Sequence, residues 1–196
     1  MRRRRAHGDP GAGRQGQRRA RRAVRDRRHP APVPGLVTVE VTAETAEQTR
    51  ALGTSLAKLL RAGDLVILSG DLGAGKTTLT QGLGEGLGVR GAVTSPTFVI
   101  SRVHPSTTGG PALVHVDAYR LGGLDELDDL DLDASLDESV TVVEWGTGVA
   151  EALADDRLEV VILRAHADDQ GEARTLRVTG VGERWRSVSL DALTPA

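Results

Sequence analysis

The sequence predicts an α/β fold: a largely parallel or mixed sheet flanked by helices on both faces. Three observations carry that expectation. Short apolar runs bounded by turn formers recur along the chain and alternate with stretches of helical spacing. One run, Leu65-Val66-Ile67-Leu68, is apolar at every position, as a strand covered on both faces must be. Directly after it comes Gly70-Asp71-Leu72-Gly73-Ala74-Gly75-Lys76-Thr77, a complete G-x-x-x-x-G-K-[ST] phosphate-binding loop, and then helical spacing again.

Taken in order, residues 1–35 are a separate polymer. They hold twelve arginines against Asp9 and Asp26, a net charge of +10, while the remainder carries −12, so the overall −2 conceals a sharp asymmetry. With Val24 and Val33 as almost their only large apolar side chains, they cannot bury enough surface to offset ordering entropy, and disorder is expected. They read either as a basic arm that holds RNA phosphates or as a solvated extension; a misplaced start site accounts for them most simply. The domain proper is expected over residues 36–196.

Within it, Leu36 to Val41 alternates as a strand does, and Thr42 to Arg61 has helical spacing with Thr42 or Thr45 as cap. Gly63-Asp64 punctuates before the buried strand at Leu65 to Leu68. The helix after the phosphate loop runs from Thr77 to Leu87 and is closed by Gly88. Further strands are expected at Phe98 to Val103, Ala112 to Val116, Val140 to Val143, Leu158 to Leu163 and Thr175 to Val178, with helical pieces at 124–130, 147–154 and 182–192. Strand order stays open. In the first of these pieces, Leu124, Leu127 and Leu130 form an apolar stripe beside an acidic face, either a solvated helix or a docking face for a basic partner.

Composition excludes several classes. There is no cysteine, hence no disulfide framework and no thiolate metal site. No run approaches the ~20 apolar residues that span a bilayer, and no apolar run follows Arg2 to Arg5 as a secretory signal requires. A soluble cytoplasmic protein with no membrane role is expected. The acidic body argues against direct, tight tRNA binding by the domain.

The chemistry centres on the loop. Two lysines, Lys58 and Lys76, stand against twenty-three arginines, so a lysine kept at the loop points to a need for a compact ammonium among phosphate oxygens. Gly70, Gly73 and Gly75 let the backbone turn its N–H groups inward, and the helix that follows adds its N-terminal partial charge. Asp71, Gly73, Ala74, Gly75, Lys76, Thr77 and Thr78 are therefore the nucleotide-binding set, with the Thr77 hydroxyl as a Mg²⁺ ligand. A second acidic residue should end a neighbouring strand. Asp117, after Ala112 to Val116, is the better candidate for the metal, and Glu144, after Val140 to Val143, for orienting or deprotonating water. The alternative for each is a solvent-facing strand end. GTPases read guanine through Asn-Lys-x-Asp, and neither lysine stands in one; a Leu-Ser-Gly-Gly-Gln signature of transporter ATPases is also absent. ATP is thus the expected nucleotide partly by exclusion.

Four blocks in fixed order now tie the chain to a family: Gly70 to Thr78, Ser95-Pro96-Thr97-Phe98, His115-Val116-Asp117-Ala118-Tyr119-Arg120-Leu121 and Glu144-Trp145-Gly146. The chain resembles the bacterial TsaE (YjeE) ATPases, over roughly residues 38–165. That resemblance implies a P-loop NTPase-type three-layer sandwich that uses ATP and Mg²⁺ in making threonylcarbamoyladenosine in tRNA. It implies Lys76 and Thr77 at phosphate and metal, and Asp117 in the acidic metal-site role. Thr97 becomes part of a nucleotide-sensing switch, and Trp145 stands near nucleotide or partner, where its bland role would be packing. His115 and Tyr119 read as structural, and Arg120 as an ion-pair or partner contact. Partners would be transferase subunits of the TsaD and TsaB type, with tRNA contacted only through them. The chain departs from the family in Val116 and Ala118, where relatives often carry aromatics, and in the uncharged run Gly146-Thr147-Gly148. Two other readings of the phosphate loop stay open: a small-molecule kinase, for which no arginine-bearing lid stands out, and a nucleotide-gated interaction module with little hydrolysis.

Overall fold

The computed structural model describes residues 36–128, 130, 132–164 and 172–193. The disorder expected for residues 1–35 lies outside them. Seven strands form one mixed sheet: β1 (Val37–Ala43), β2 (Leu65–Ser69), β3 (Ser101–His104), β4 (Ala112–Asp117), β5 (Ser139–Glu144), β6 (Arg157–Arg164) and β7 (Arg174–Val181), in the spatial order β1-β7-β6-β2-β5-β4-β3. The centre, β6-β2-β5-β4, is parallel; β7 and β1 on one side and β3 on the other run antiparallel to their neighbours.

The alternation of side chains along β2 makes the layers. Val66 and Leu68 point into a cluster under helices α1 (Ala46–Ala57) and α2 (Lys76–Leu87), while Leu65 and Ile67 point into a second cluster on the opposite face. That second cluster is closed by Leu127 of α3 (Leu124–Asp128), Leu132 at the N-cap of α4 (Asp133–Leu136) and Ala150 of a 3₁₀ turn at Ala150–Ala152. This is a three-layer sandwich, and the apolar run that predicted a strand covered on both faces is the middle one of the seven strands.

The cap of α1 is Thr45, not Thr42: Thr45 Oγ1 accepts from the Gln48 N–H. At the far end of α2, Gly88 in the left-handed conformation closes the helix as expected (φ 67°). A short helix α5 (Glu183–Arg186) ties the end of the chain down. Its Arg184 Nη2 donates to Asp64 Oδ2 at 3.2 Å and to the Leu59 carbonyl at 2.8 Å, and its Trp185 is fully buried.

Several elements are shorter than expected, each for a local reason. The helix expected at 124–130 is Leu124–Asp128; Leu127 is buried and Leu130 packs against the second cluster, whereas the Leu124 side chain lies outside the described residues. At 147–154 a turn at Thr147–Val149 leads into a 3₁₀ turn at Ala150–Ala152; Gly148 is left-handed, which interrupts a helical run, and its N–H donates to the Glu151 carboxylate. At 182–192 the helix stops at Arg186, where Ser187 and the Ser189–Asp191 hydrogen bonds compete with helical backbone pairing. The strand expected at Phe98 to Val103 begins only at Ser101. The Val99 and Ile100 N–H groups both donate to the Pro96 carbonyl, at 2.8 and 2.7 Å, and fold Thr97 to Ile100 into a turn.

Candidate active site

The loop from Gly70 to Gly75 joins the end of β2 to the start of α2. Its glycines do different work. A Cβ at Gly70 would lie 2.5 Å from the Ile162 carbonyl oxygen, so this glycine serves close packing against β6. Gly73 (φ 73°) and Gly75 (φ 109°) hold the left-handed turns that bring the chain round, and Gly75 caps α2 without any side-chain hydrogen bond. The first N–H groups of α2 therefore keep no side-chain partner, the arrangement that receives an anion.

Lys76 is buried, and its Nζ donates to the Gly70 and Asp71 carbonyls at 2.9 and 3.1 Å. Burial pulls its pKa below the usual lysine value; the charges of Glu144, Asp117 and Asp71 oppose that shift. A cation held at such a position gains from added negative charge. The indole of Trp145 lies over the ammonium, 3.9 Å from ring centroid to Nζ.

The two acids arrive on neighbouring strands. Asp117 ends β4, Glu144 ends β5, and the two are register partners; Glu144 is also opposite Leu68, one residue before the end of β2. Both are buried. Glu144 Oε1 accepts from Thr77 Oγ1 at 3.0 Å and from His115 Nε2 at 2.9 Å. Asp117 Oδ2 accepts from Thr97 Oγ1, and its Oδ1 accepts from the Tyr119 N–H at 3.0 Å. The Asp117 N–H in turn donates to the Ile100 carbonyl at 2.8 Å, so the Ser95-to-Ile100 segment is fastened to Asp117 by side chain and backbone together.

Nine of the eleven expected site residues line one open cleft of about 690 Å³: Gly73, Gly75, Lys76, Thr77 and Thr78 from the loop and helix, with Thr97, Asp117, Glu144 and Trp145 facing them. The other two do not line it. Asp71 contributes its backbone carbonyl to Lys76, and its side chain is exposed; Ala74 is buried and borders a second recess. That recess, about 400 Å³, lies on the other side of Gly73 and Gly75 against Thr49 of α1 and Arg174 of β7. Arg174 Nε donates to the Ala74 carbonyl at 3.1 Å. Thr49 and Arg174 are not among the residues expected here, His115 is one expected to be structural, and Ser95 lines the cleft as part of the expected Ser95-Pro96-Thr97 switch segment. Thr49 and Arg174 have no motif of their own, and their distance along the chain from the loop hides them. His115 was visible two residues before Asp117, since strand alternation puts both on one face.

Among the described residues no cluster of three or more His, Asp or Glu side chains could cage a cation by itself. Two carboxylates beside one threonine hydroxyl do fit Mg²⁺, which favours few protein ligands and shares the rest with phosphate. Around the cleft mouth Leu72, Phe98 and Tyr119 are exposed, at 86%, 86% and 65%. No described helix is long and apolar enough to cross a membrane.

A family model described as "Threonylcarbamoyl adenosine biosynthesis protein TsaE" matches residues 43–175. The chain is 69% identical over 145 residues to a tRNA threonylcarbamoyladenosine biosynthesis protein TsaE of Streptomyces coelicolor, covering 74% of this chain and 98% of that one. It is 50% identical over 138 residues to the protein of the same name from Mycobacterium leprae, covering 66% and 84%. Among solved structures, the crystal structure of Bacillus subtilis YdiB superposes with a TM-score of 0.61 at 34% identity, over 76% of this chain and 90% of that one.

Proposed function

The chain belongs to the TsaE family, named for threonylcarbamoyl adenosine biosynthesis, and we propose that it is the Mg²⁺-dependent ATPase that drives or resets the threonylcarbamoyl-transfer complex. The observation that carries this reading is the convergence of Lys76, Thr77, Asp117 and Glu144 on one cleft, at the C-terminal ends of three adjacent parallel strands.

The loop N–H groups and the α2 N-terminus bind the ATP phosphates, and Lys76 exchanges its two carbonyl partners for phosphate oxygens. Thr77 Oγ1 and Asp117 would hold Mg²⁺, which would supply neutralisation of phosphate charge. Thr77 donates its hydrogen to Glu144, leaving its lone pairs free for a ligand. Glu144 orients a water and accepts its proton as the water oxygen bonds the γ-phosphorus. The bond to the bridging oxygen breaks, and ADP and phosphate leave. Thr97, tethered to Asp117, transmits the presence of the γ-phosphate to the exposed Phe98 beside it.

Lys76 is the one cation among the described residues that line the cleft. Transition-state charge is therefore under-compensated, and hydrolysis is expected to depend on partners: transferase subunits of the TsaD and TsaB type, with tRNA reached through them. The test is phosphate release by the full chain, alone and with those subunits plus tRNA. Release should rise with the partners and fall by about 100-fold or more in Lys76→Ala. No stimulation by correctly assembled partners would sink the reading.

A further inference from the structure

His115 sits in the middle of β4 with no solvent exposure, on the sheet face it shares with Leu113 and Asp117. Its register partner on β5 is Val142, so Glu144 is its diagonal neighbour, within reach of a ring. The contact is His115 Nε2 to Glu144 Oε1, 2.9 Å. An ionised carboxylate only accepts hydrogen bonds, so Nε2 carries the hydrogen and donates it.

Two donors, His115 and Thr77, thus meet on Oε1, and no described residue donates to Oε2. Glu144 lines the cleft, and Oε2 is the one of its two oxygens that no described residue holds. His115 Nδ1, by contrast, is buried with no partner at all. A residue chosen only to fill this place in the core would be apolar, as Leu113 is, and would leave no nitrogen unsatisfied.

We propose that His115 is a positioning residue: its Nε2–H pins Glu144 Oε1 and thereby turns Oε2 toward the cleft as the oxygen that receives the water. This rests on the ATP-hydrolysis reading above. His115 touches neither nucleotide nor water and acts only through Glu144, as an outer hydrogen-bond partner fixes the orientation of a working group.

The test compares His115→Gln, which keeps an N–H donor near the place of Nε2, with His115→Leu, which fills the space without one. Both are read in the full chain with its transferase partners. His115→Leu should lower kcat by about 10- to 100-fold with the nucleotide Kd almost unchanged, and His115→Gln should recover most of that loss. Hydrolysis by His115→Leu at the wild-type rate would overturn the proposal, and so would His115→Gln being as slow as His115→Leu. A direct reading guards against a misfolded variant: ¹⁵N spectra of the wild-type imidazole should show the Nε2–H tautomer, with a signal that moves in Glu144→Gln. An Nδ1–H tautomer would overturn the pairing. Absence of wild-type phosphate release under all conditions would instead strike the hydrolase reading, and the spectrum alone would then decide whether His115 holds Glu144.

Discussion

At Trp145 a left-handed backbone (φ 62°) sets an indole 3.9 Å above the Lys76 ammonium and 5.3 Å from the Tyr119 ring. That conformation costs a non-glycine residue roughly 1–2 kcal/mol, and it is held by the Trp145 N–H donating to the Leu68 carbonyl at 3.0 Å. Gly146 follows because a Cβ there would meet Val143 Cγ1 at 2.7 Å. Under the proposed function, nucleotide phosphates would draw Lys76 away and so change the surroundings of this indole. The only other tryptophan, Trp185, is fully buried under Arg184 and far along the chain in α5. Tryptophan emission should therefore shift when ATP and Mg²⁺ are added, and the shift should vanish in Trp145→Phe. A shift that survives that substitution would separate Trp145 from the nucleotide site. Lys76, Thr77, Asp117 and Glu144 were legible in the sequence because each ends or begins an element whose pattern is local. The hydrogen bonds that distinguish the acids were not, since Thr77 to Glu144 and Thr97 to Asp117 join residues 67 and 20 positions apart.

Helices α1 and α2 approach backbone to backbone through glycine. A Cβ at Gly82 would stand 1.9 Å from the Arg50 carbonyl oxygen, and one at Gly53 would stand 2.3 Å from the Leu79 carbonyl oxygen. Glycine inside a helix gives up about 1 kcal/mol of propensity relative to alanine, so its presence here has a packing cause. Gly82→Ala should accordingly lower the melting temperature, because overpacking costs typically 1–3 kcal/mol and outweighs the propensity gain. A higher melting temperature would show that the helices separate freely. The consequence reaches the cleft, since α2 begins at Lys76 and any shift of its axis moves that side chain. Most elements were readable from pattern, and so were ends marked by a local signal such as Gly88, but ends set by turn hydrogen bonds were not. Pro96 folds Phe98 and Val99 out of the strand that their β propensity favours, by turn hydrogen bonds no periodicity announces. Ile100 then carries φ 67°, a rare state for a β-branched residue, directly beside the carbonyl that receives the Asp117 N–H.

At the scale of the described domain, the C-terminal ends of β2, β5 and β4 gather at one edge, with the loop, Glu144 and Asp117 on successive strands. A ligand that binds only this assembled edge must stabilise the entire fold. ATP with Mg²⁺ at about 100 times its Kd should add ~2.7 kcal/mol, roughly 5–10 °C in melting temperature for a domain of this size. Lys76→Ala should melt without that shift, and an equal shift in the variant would move nucleotide binding elsewhere. By itself the sequence determined the α/β class, the buried central strand, the phosphate loop with its helix and the four family blocks, because strand alternation, helical spacing and loop chemistry are written within a few neighbouring residues. Only the tertiary structure decided that β5 inserts between β2 and β4, that β7 and β1 complete the sheet antiparallel, and that Glu144, gripped by Thr77 and His115, sits nearer the loop than Asp117 does. Strand order is settled by which faces bury together across long stretches of chain, and that balance has no local signature.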